Sequence, residues 1–311
     1  MNVKNDTMVT YFIIEGFSDF PESHLLIFIL VLLIYLITLG GNKIILLLVC
    51  LDSHLHTPMY FFLSNLSVLD IASSTVTLHK ILAIFVTGDN VVSFNACMTQ
   101  LYVFTWFCGN ELVLLAAMSY DRYVAICIPL HYSAVMNNRL CAGLAIFCWS
   151  FSFLHPLPEI VTVIRFSCYT SNIIDHFFCD LMPLISITCS DTSVLKVLIF
   201  TNGALLAAFI PFLLTFISYV FIISTILRIK SSTGRSKAFY TCSSHLTIVI
   251  LLYFTLFCQY FTPSGTFKSK KLFSLLNTAV VPMLNPFIYS LKNKDVKSAL
   301  LRTLKHFMSV I

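Results

Sequence analysis

The stretch Leu25-Leu26-Ile27-Phe28-Ile29-Leu30-Val31-Leu32-Leu33-Ile34-Tyr35-Leu36-Ile37-Thr38-Leu39 carries neither a charge nor a turn residue. With its flanks it fills positions 24–49, and a hydrocarbon layer of about 30 Å is crossed by about 20 helical residues. Six further stretches of this kind follow near 59–86, 98–120, 140–164, 195–227, 239–261 and 272–291. They are apolar throughout instead of alternating in and out, which fits spanning helices and excludes a porin-like barrel. The whole chain of 311 residues is 58% hydrophobic and 11% charged, whereas an ordinary soluble domain holds roughly 25% charged residues. Scarce charge and 29 phenylalanines also exclude disorder. The prediction is an all-α membrane protein, a seven-transmembrane helix bundle. It is a single domain over 1–311, with one tail at 1–23, the bundle at 24–291 and a second tail at 292–311. No internal repeat, linker or separate hydrophilic block divides it. The second stretch, with Ser64, Asn65, Ser67, Asp70, Ser73 and Ser74, and the fifth are the least sharply bounded.

An odd number of spans puts the two ends on opposite faces, and the placement of the basic residues sets the orientation. With the C-terminus cytoplasmic, the inner segments hold Arg122, Arg139, Arg228, Lys230, Arg235, Lys237, Lys292, Lys294, Lys297, Arg302 and Lys305. The outer segments then carry most of the acids, including Glu15, Asp19, Glu22, Asp89, Asp175, Asp180 and Asp191. The N-terminus is therefore expected outside. Asn5-Asp6-Thr7 is a glycosylation sequon on that outer tail, while Asn65-Leu66-Ser67 lies inside a span and out of reach. Of 11 cysteines, Cys97, Cys168, Cys179 and Cys189 fall where an oxidising compartment is met. Four cysteines allow three pairings, and spacing does not choose among them.

Ionisable groups at membrane depth are costly and mark function. Glu111 lies about 16 Å outward of Arg122, and Asp70 lies about 18 Å in from Pro58, at the helical rise of 1.5 Å per residue. The two carboxylates thus share one depth on spans adjacent in sequence. Such a pair would hold a monovalent cation or share a proton, since two bare like charges do not both stay ionised in low dielectric. The competing assignment is two separately hydrogen-bonded acids facing neighbours such as Ser67 or Asn285.

At the inner end of the third span stands Met118-Ser119-Tyr120-Asp121-Arg122-Tyr123-Val124-Ala125-Ile126-Cys127, continued by Pro129-Leu130-His131-Tyr132. Elsewhere the chain has Gly41-Asn42, Pro58-Met59-Tyr60-Phe61-Phe62-Leu63 and Ser218-Tyr219. It also has Lys237-Ala238-Phe239-Tyr240-Thr241-Cys242-Ser243-Ser244-His245-Leu246 and Pro282-Met283-Leu284-Asn285-Pro286-Phe287-Ile288-Tyr289-Ser290-Leu291. Over its whole length this pattern resembles the odorant receptor family of rhodopsin-like G-protein-coupled receptors. Ser119 and Tyr240 depart from the family's usual Ala and Ser without removing a functional group.

That resemblance implies a receptor that binds a small neutral odorant within the bundle and activates a heterotrimeric stimulatory G protein of the olfactory type, raising cyclic AMP. It implies a plasma-membrane protein of the lipid bilayer, located in the cilia of olfactory neurons, with no nucleic-acid partner. Cys97 pairs with Cys179 and Cys168 with Cys189 by the same resemblance. Asp121, Arg122, Tyr123, Tyr219, His245, Asn285, Pro286 and Tyr289 form the coupling switch, although His245 by itself reads as a packed polar residue. Asp70, Glu111 and Asn285 are expected to take sodium as an allosteric ligand, and no other metal or cofactor is expected. His176 beside Cys179 offers no metal site once that sulfur is in a disulfide.

Helical spacing places Phe104, Thr105, Cys108, Gly109 and Leu112 on one face of the third span as a ligand-pocket wall. The resemblance supplies the opposite wall: Gly203, Ala204 and Ala207; Tyr253, Leu256, Phe257 and Tyr260; Leu275 and Thr278. None of these is an acid or a base, which suits a neutral ligand, because an unpaired buried charge is costly. Thr105, Tyr260 and Thr278 offer hydroxyls to an alcohol, aldehyde, ketone or ester. Catalysis is not expected: Gly-x-Ser-x-Gly, His-Glu-x-x-His and phosphate-binding glycine loops are absent from the sequence, which has 9 glycines. A transporter or channel using Asp70 and Glu111 is the alternative, but the two halves lack the matching repeats of such folds.

Overall fold

The computed structural model describes residues 9–17, 23–261, 267–291 and 294–310. Seven helices in it are long and apolar enough to cross a membrane. They are α1 (His24–Leu51), α2 (Pro58–Thr87), α3 (Phe94–Cys127), α4 (Asn138–Ile164), α5 (Ser193–Arg228) and α6 (Ser232–Phe261). The last, α7, runs through Phe267–Leu275, a π-helical turn Leu276–Val280 and Val281–Leu291. An eighth helix, α8 (Lys294–Val310), lies in the segment read from sequence only as a tail. Large apolar side chains such as Leu25, 72% exposed, coat the outside of the bundle, as lipid contact demands.

Local chemistry sets the ends. Pro58 opens α2, where its missing N–H costs nothing, and Gly88 closes it at φ 72°, a left-handed position glycine reaches without strain. The Ser93 hydroxyl accepts from Ala96 N at the start of α3, and the Asn137 side chain accepts from Leu140 N at the start of α4. Prolines shape the interiors. α4 is interrupted at His155-Pro156 between Asn138–Leu154 and Leu157–Ile164. In α5 the backbone is π-helical over Ile199–Phe209, just before Pro211, and in α7 the π-helical turn precedes Pro282. Proline removes a helical donor, and a π-turn absorbs the resulting mismatch.

α3 is the most enclosed spanning helix and packs against α2, α4, α5 and α6. α1 packs against α2, α7 and α8. α1 and α7 approach closely. A Cβ on Gly41 would lie 2.8 Å from Pro286 Cγ, and next to it Asn42 Nδ2 donates to Thr38 O at 3.0 Å and Pro282 O at 3.3 Å.

One end of the bundle carries a three-stranded sheet in the order β2-β1-β3. β1 (Tyr11–Ile14) pairs antiparallel with β2 (Val91–Ser93), Phe12 opposite Val92, and parallel with β3 (Ile173–Ile174), Ile13 opposite Ile173. Disulfides Cys97–Cys179 and Cys168–Cys189, with Cα atoms 5.4 and 5.2 Å apart, fasten the long loop after α4. At the other end Arg302 Nε donates to Asp52 Oδ2 at 2.8 Å, tying α8 to the short connection between α1 and α2. That arginine, with help from His54, holds the Asp52 carboxyl at about 2.

Candidate functional site

Polar side chains that the apolar helices bring inward form three layers. In the middle layer Asn285 Nδ2 donates to both carboxylate oxygens of Asp70, at 3.0 and 2.9 Å, joining α7 to α2. Glu111 on α3 stands within electrostatic reach of Asp70. Glu111 Oε1, Asn285 Oδ1, Ser67 Oγ and both side-chain polar atoms of Asn110 are buried without a hydrogen-bond partner among the described residues. Buried polar atoms are nearly always satisfied, so this cluster has capacity for a further partner. No cluster of three His, Cys, Asp or Glu suited to a metal occurs among the described residues.

In the layer nearest α8, Arg122 forms an ion pair with Asp121, its Nε donating to Oδ2 at 3.0 Å. The Tyr132 hydroxyl donates to Asp121 Oδ1 at 2.8 Å, so the aspartate is held from two sides. Burial and then the Asp121 charge push the Tyr132 hydroxyl well above its usual range, keeping it a donor. The Tyr219 hydroxyl and His245 Nδ1 lie 2.7 Å apart with their rings stacked, joining α5 to α6. Tyr123 packs beside Phe221, with ring centroids 5.9 Å apart. Tyr289 is buried on α7, and its hydroxyl has no partner.

In the layer under the sheet, Phe104 meets Phe178 at 4.6 Å between centroids, and His176 stacks on Phe177 at 4.5 Å. Lys271 forms an ion pair with Asp175, and its Nζ donates to Gly16 O at 3.2 Å. Burial, reinforced by the Lys271 charge, depresses His176 to about 3, so its ring is neutral. Burial raises the Asp180 carboxyl to about 6, while its Oδ1 accepts from Leu181 N at 2.8 Å.

The family model for olfactory receptors matches residues 31–306. The chain belongs to the olfactory receptor family. It is 45% identical to human olfactory receptor 6C1 over 299 residues, 96% of each chain, and 43% identical to rat olfactory receptor 1468 over 306 residues, 98% of this chain and 97% of that one. Among solved structures, squid rhodopsin shares the fold, with a TM-score of 0.70 at 20% identity over 91% of this chain and 85% of that one. Membership makes this olfactory receptor family protein a multi-pass membrane protein and not an enzyme.

Within this family member the residues expected to line the ligand pocket do not all share one face. Phe104, Cys108 and Leu275 join the aromatic cluster of Phe177 and Phe178. Leu112, Tyr253 and Leu256 belong to the larger cluster below it, and Ala207 is buried. Gly109 turns away, toward α4: a Cβ there would meet His155 Cε1 at 2.6 Å. The single-face reading of α3 is corrected at that position, because five residues past Phe104 is already well round the helix. Gly203 faces Glu159, whereas Ala204 is exposed and Phe257 is 60% exposed on the outside of the bundle. Thr105 and Thr278 direct their hydroxyls to their own helix carbonyls, Leu101 O and Ser274 O. The Tyr260 side chain and Asn5 lie outside the described residues. Sequence reading passed over Tyr132 and Glu159. Tyr132 stands at the end of the quoted motif, and Glu159 is an acid within the fourth apolar stretch, which the cost of intramembrane charge would have flagged.

Proposed function

We propose that this protein is an odorant receptor that binds a small, neutral, mostly apolar volatile between the sheet-bearing halves of its helices. Binding shifts the opposite halves toward a state that engages a stimulatory, olfactory-type G protein and raises cyclic AMP. The N-terminus, glycosylated at Asn5, faces outside and the C-terminus the cytoplasm, in the ciliary plasma membrane. The observation that carries the reading is the clasp of Asp121 by Arg122 and Tyr132 at the end of α3, on the end of the bundle bearing α8. A charge pair so held is a resting-state lock, and releasing Arg122 is the step a ligand biases. Sodium in the Asp70, Glu111 and Asn285 cluster favours the resting state. The unsatisfied Glu111 Oε1 and Asn285 Oδ1 supply the oxygens a hard cation takes.

Concentration–response curves for cyclic AMP over an odorant panel, in cells expressing this chain, test the reading. Arg122→Ala is expected to abolish the response at normal surface expression, and unchanged output refutes the coupling role. Ligand flux through the protein without cyclic AMP would point instead to a transporter.

A further inference from the structure

Glu159 is 3% exposed inside α4, and its Oε1 has no hydrogen-bond partner among the described residues. Among the described residues beyond α5's own backbone, that oxygen is the one atom within 4 Å of a Cβ built on Gly203, at 3.9 Å, so the acceptor points at the place where α5 lacks a side chain. That stretch of α5 is π-helical, the geometry recurrently found at functional sites. Three hydroxyls among the residues expected to line the pocket are already committed as donors. Thr105 donates to Leu101 O at 2.8 Å, Thr278 to Ser274 O at 2.9 Å and Tyr253 to Ala208 O at 3.4 Å. The region therefore has an acceptor to spare and its hydroxyl protons spent.

From this we infer that Glu159 is the polar anchor of the ligand and that the preferred ligand class is an alcohol: its hydroxyl donates to Glu159 Oε1 while its apolar body extends past Gly203. The inference rests on the odorant-receptor reading and narrows its ligand class. An alcohol satisfies the carboxyl whether that group is ionised or protonated, because a hydroxyl both donates and accepts. An aldehyde, ketone or ether only accepts and so pairs with the protonated form alone. A protonated amine would have to shed its hydration to enter this buried place, an outlay that often exceeds the attraction of the ion pair formed.

The test is cyclic AMP output from the full-length receptor against straight-chain alcohols from pentanol to nonanol, their methyl ethers, the matching aldehydes and the matching primary amines. One well-made hydrogen bond to a buried acceptor is expected to make the best alcohol about ten- to a hundredfold more potent than its methyl ether. Glu159→Leu should erase that preference, bringing the alcohol down to the level of the ether at unchanged surface expression. Glu159→Gln keeps a carbonyl acceptor in place and should retain the preference. A preference that survives Glu159→Leu overturns the inference, as does one lost equally in Glu159→Gln. Aldehydes or amines outranking alcohols in the parent receptor overturn it too. Silence toward the whole panel, in cells whose cyclic AMP reporter answers direct cyclase stimulation, counts instead against the odorant-receptor reading beneath it.

Discussion

Gly41 and Gly40 are neighbours on α1, and alanine at the two positions should act in opposite directions. A Cβ on Gly41 would sit 2.8 Å from Pro286 Cγ and 3.0 Å from Pro286 Cβ, whereas on Gly40 it would meet nothing within 4 Å. Carbon atoms rest about 3.5–4.0 Å apart, so α1 and α7 must separate by about 0.7 Å or more to admit the Gly41 methyl. The Pro286 ring cannot swing aside as a flexible side chain would, and overpacking of this kind costs about 1–3 kcal/mol. Alanine in a helix recovers about 0.5–1 kcal/mol of the backbone entropy glycine loses. Gly41→Ala should therefore be destabilised by about 1–2 kcal/mol, and Gly40→Ala unchanged or stabilised by up to about 1 kcal/mol. At about 2.1 cal/mol/K of unfolding entropy per residue, a chain of 311 residues shifts by about 1.5 °C per kcal/mol, so that is a fall of about 1.5–3 °C for the first and a rise of up to about 1.5 °C for the second. Unfolding can be read in detergent with a thiol-reactive fluorophore, since Cys141, Cys148 and Cys242 are buried free thiols. Gly41→Ala melting at or above the parent would refute the close approach of α1 to Pro286.

Asp70→Asn or Glu111→Gln should leave agonist potency indifferent to sodium, and a sodium dependence that outlives both changes rules out the ion site. Ala207→Phe, at a buried position, should lower odorant potency, whereas Ala204→Phe, at an exposed one, should leave it alone. Equal effects from the two would mean that this face of α5 does not border the ligand. His176 titrates at about 3 in the folded protein, below the ordinary value of about 6.5. Between those values the unfolded chain binds the proton and the folded one does not, so stability is lost as pH falls below 6.5, by about 1.4 kcal/mol per pH unit. Asp180, raised to about 6, acts in the opposite sense, its contribution declining as pH rises from about 4 to 6. His176→Gln removes the first effect alone. Its melting temperature should fall less than the parent's between pH 7 and pH 5, and an unchanged difference would show that His176 is not held neutral.

The spanning helices were legible in the sequence because lipid imposes one rule, a long unbroken apolar run; their ends were less so where a helix continues into polar residues, as at Cys127, seven residues past the expected end of α3, and at Ser232 and Phe267, seven and five residues before the expected starts of α6 and α7. The buried acids Asp70 and Glu111 and the side-by-side Asp121 and Arg122 were legible as well, since charges in apolar surroundings stand out; the bond from Asn285 to Asp70 figured only in the competing assignment. What escaped notice depends on rotation about helix axes and on contacts between distant segments. Gly109 was assigned by spacing alone, and spacing does not say that α4 approaches closely enough to put His155 beside it. Glu159 stands inside the fourth apolar stretch, but spacing does not say that it turns its carboxyl toward Gly203 of α5. β1 gave little signal: four residues with no alternation of polar and apolar character become a strand only through partners far away in the chain.

That strand carries a consequence for how the protein is made. The tail segment Tyr11–Ile14 is the middle strand of its sheet, flanked by Val91–Ser93 and Ile173–Ile174. It leaves the ribosome before either partner, and its second edge has nothing to pair with until four helices and the first part of the disulfide-bonded loop have followed. Throughout that interval its unpaired backbone is open to other chains, as any uncovered strand edge is. Correct closure of the loop that carries Cys168, Cys179 and Cys189 thus decides the fate of a strand synthesised well before it. Replacing either disulfide should show itself at the opposite end of the sequence, as an N-terminus that stays open to proteases and a receptor held back from the cell surface.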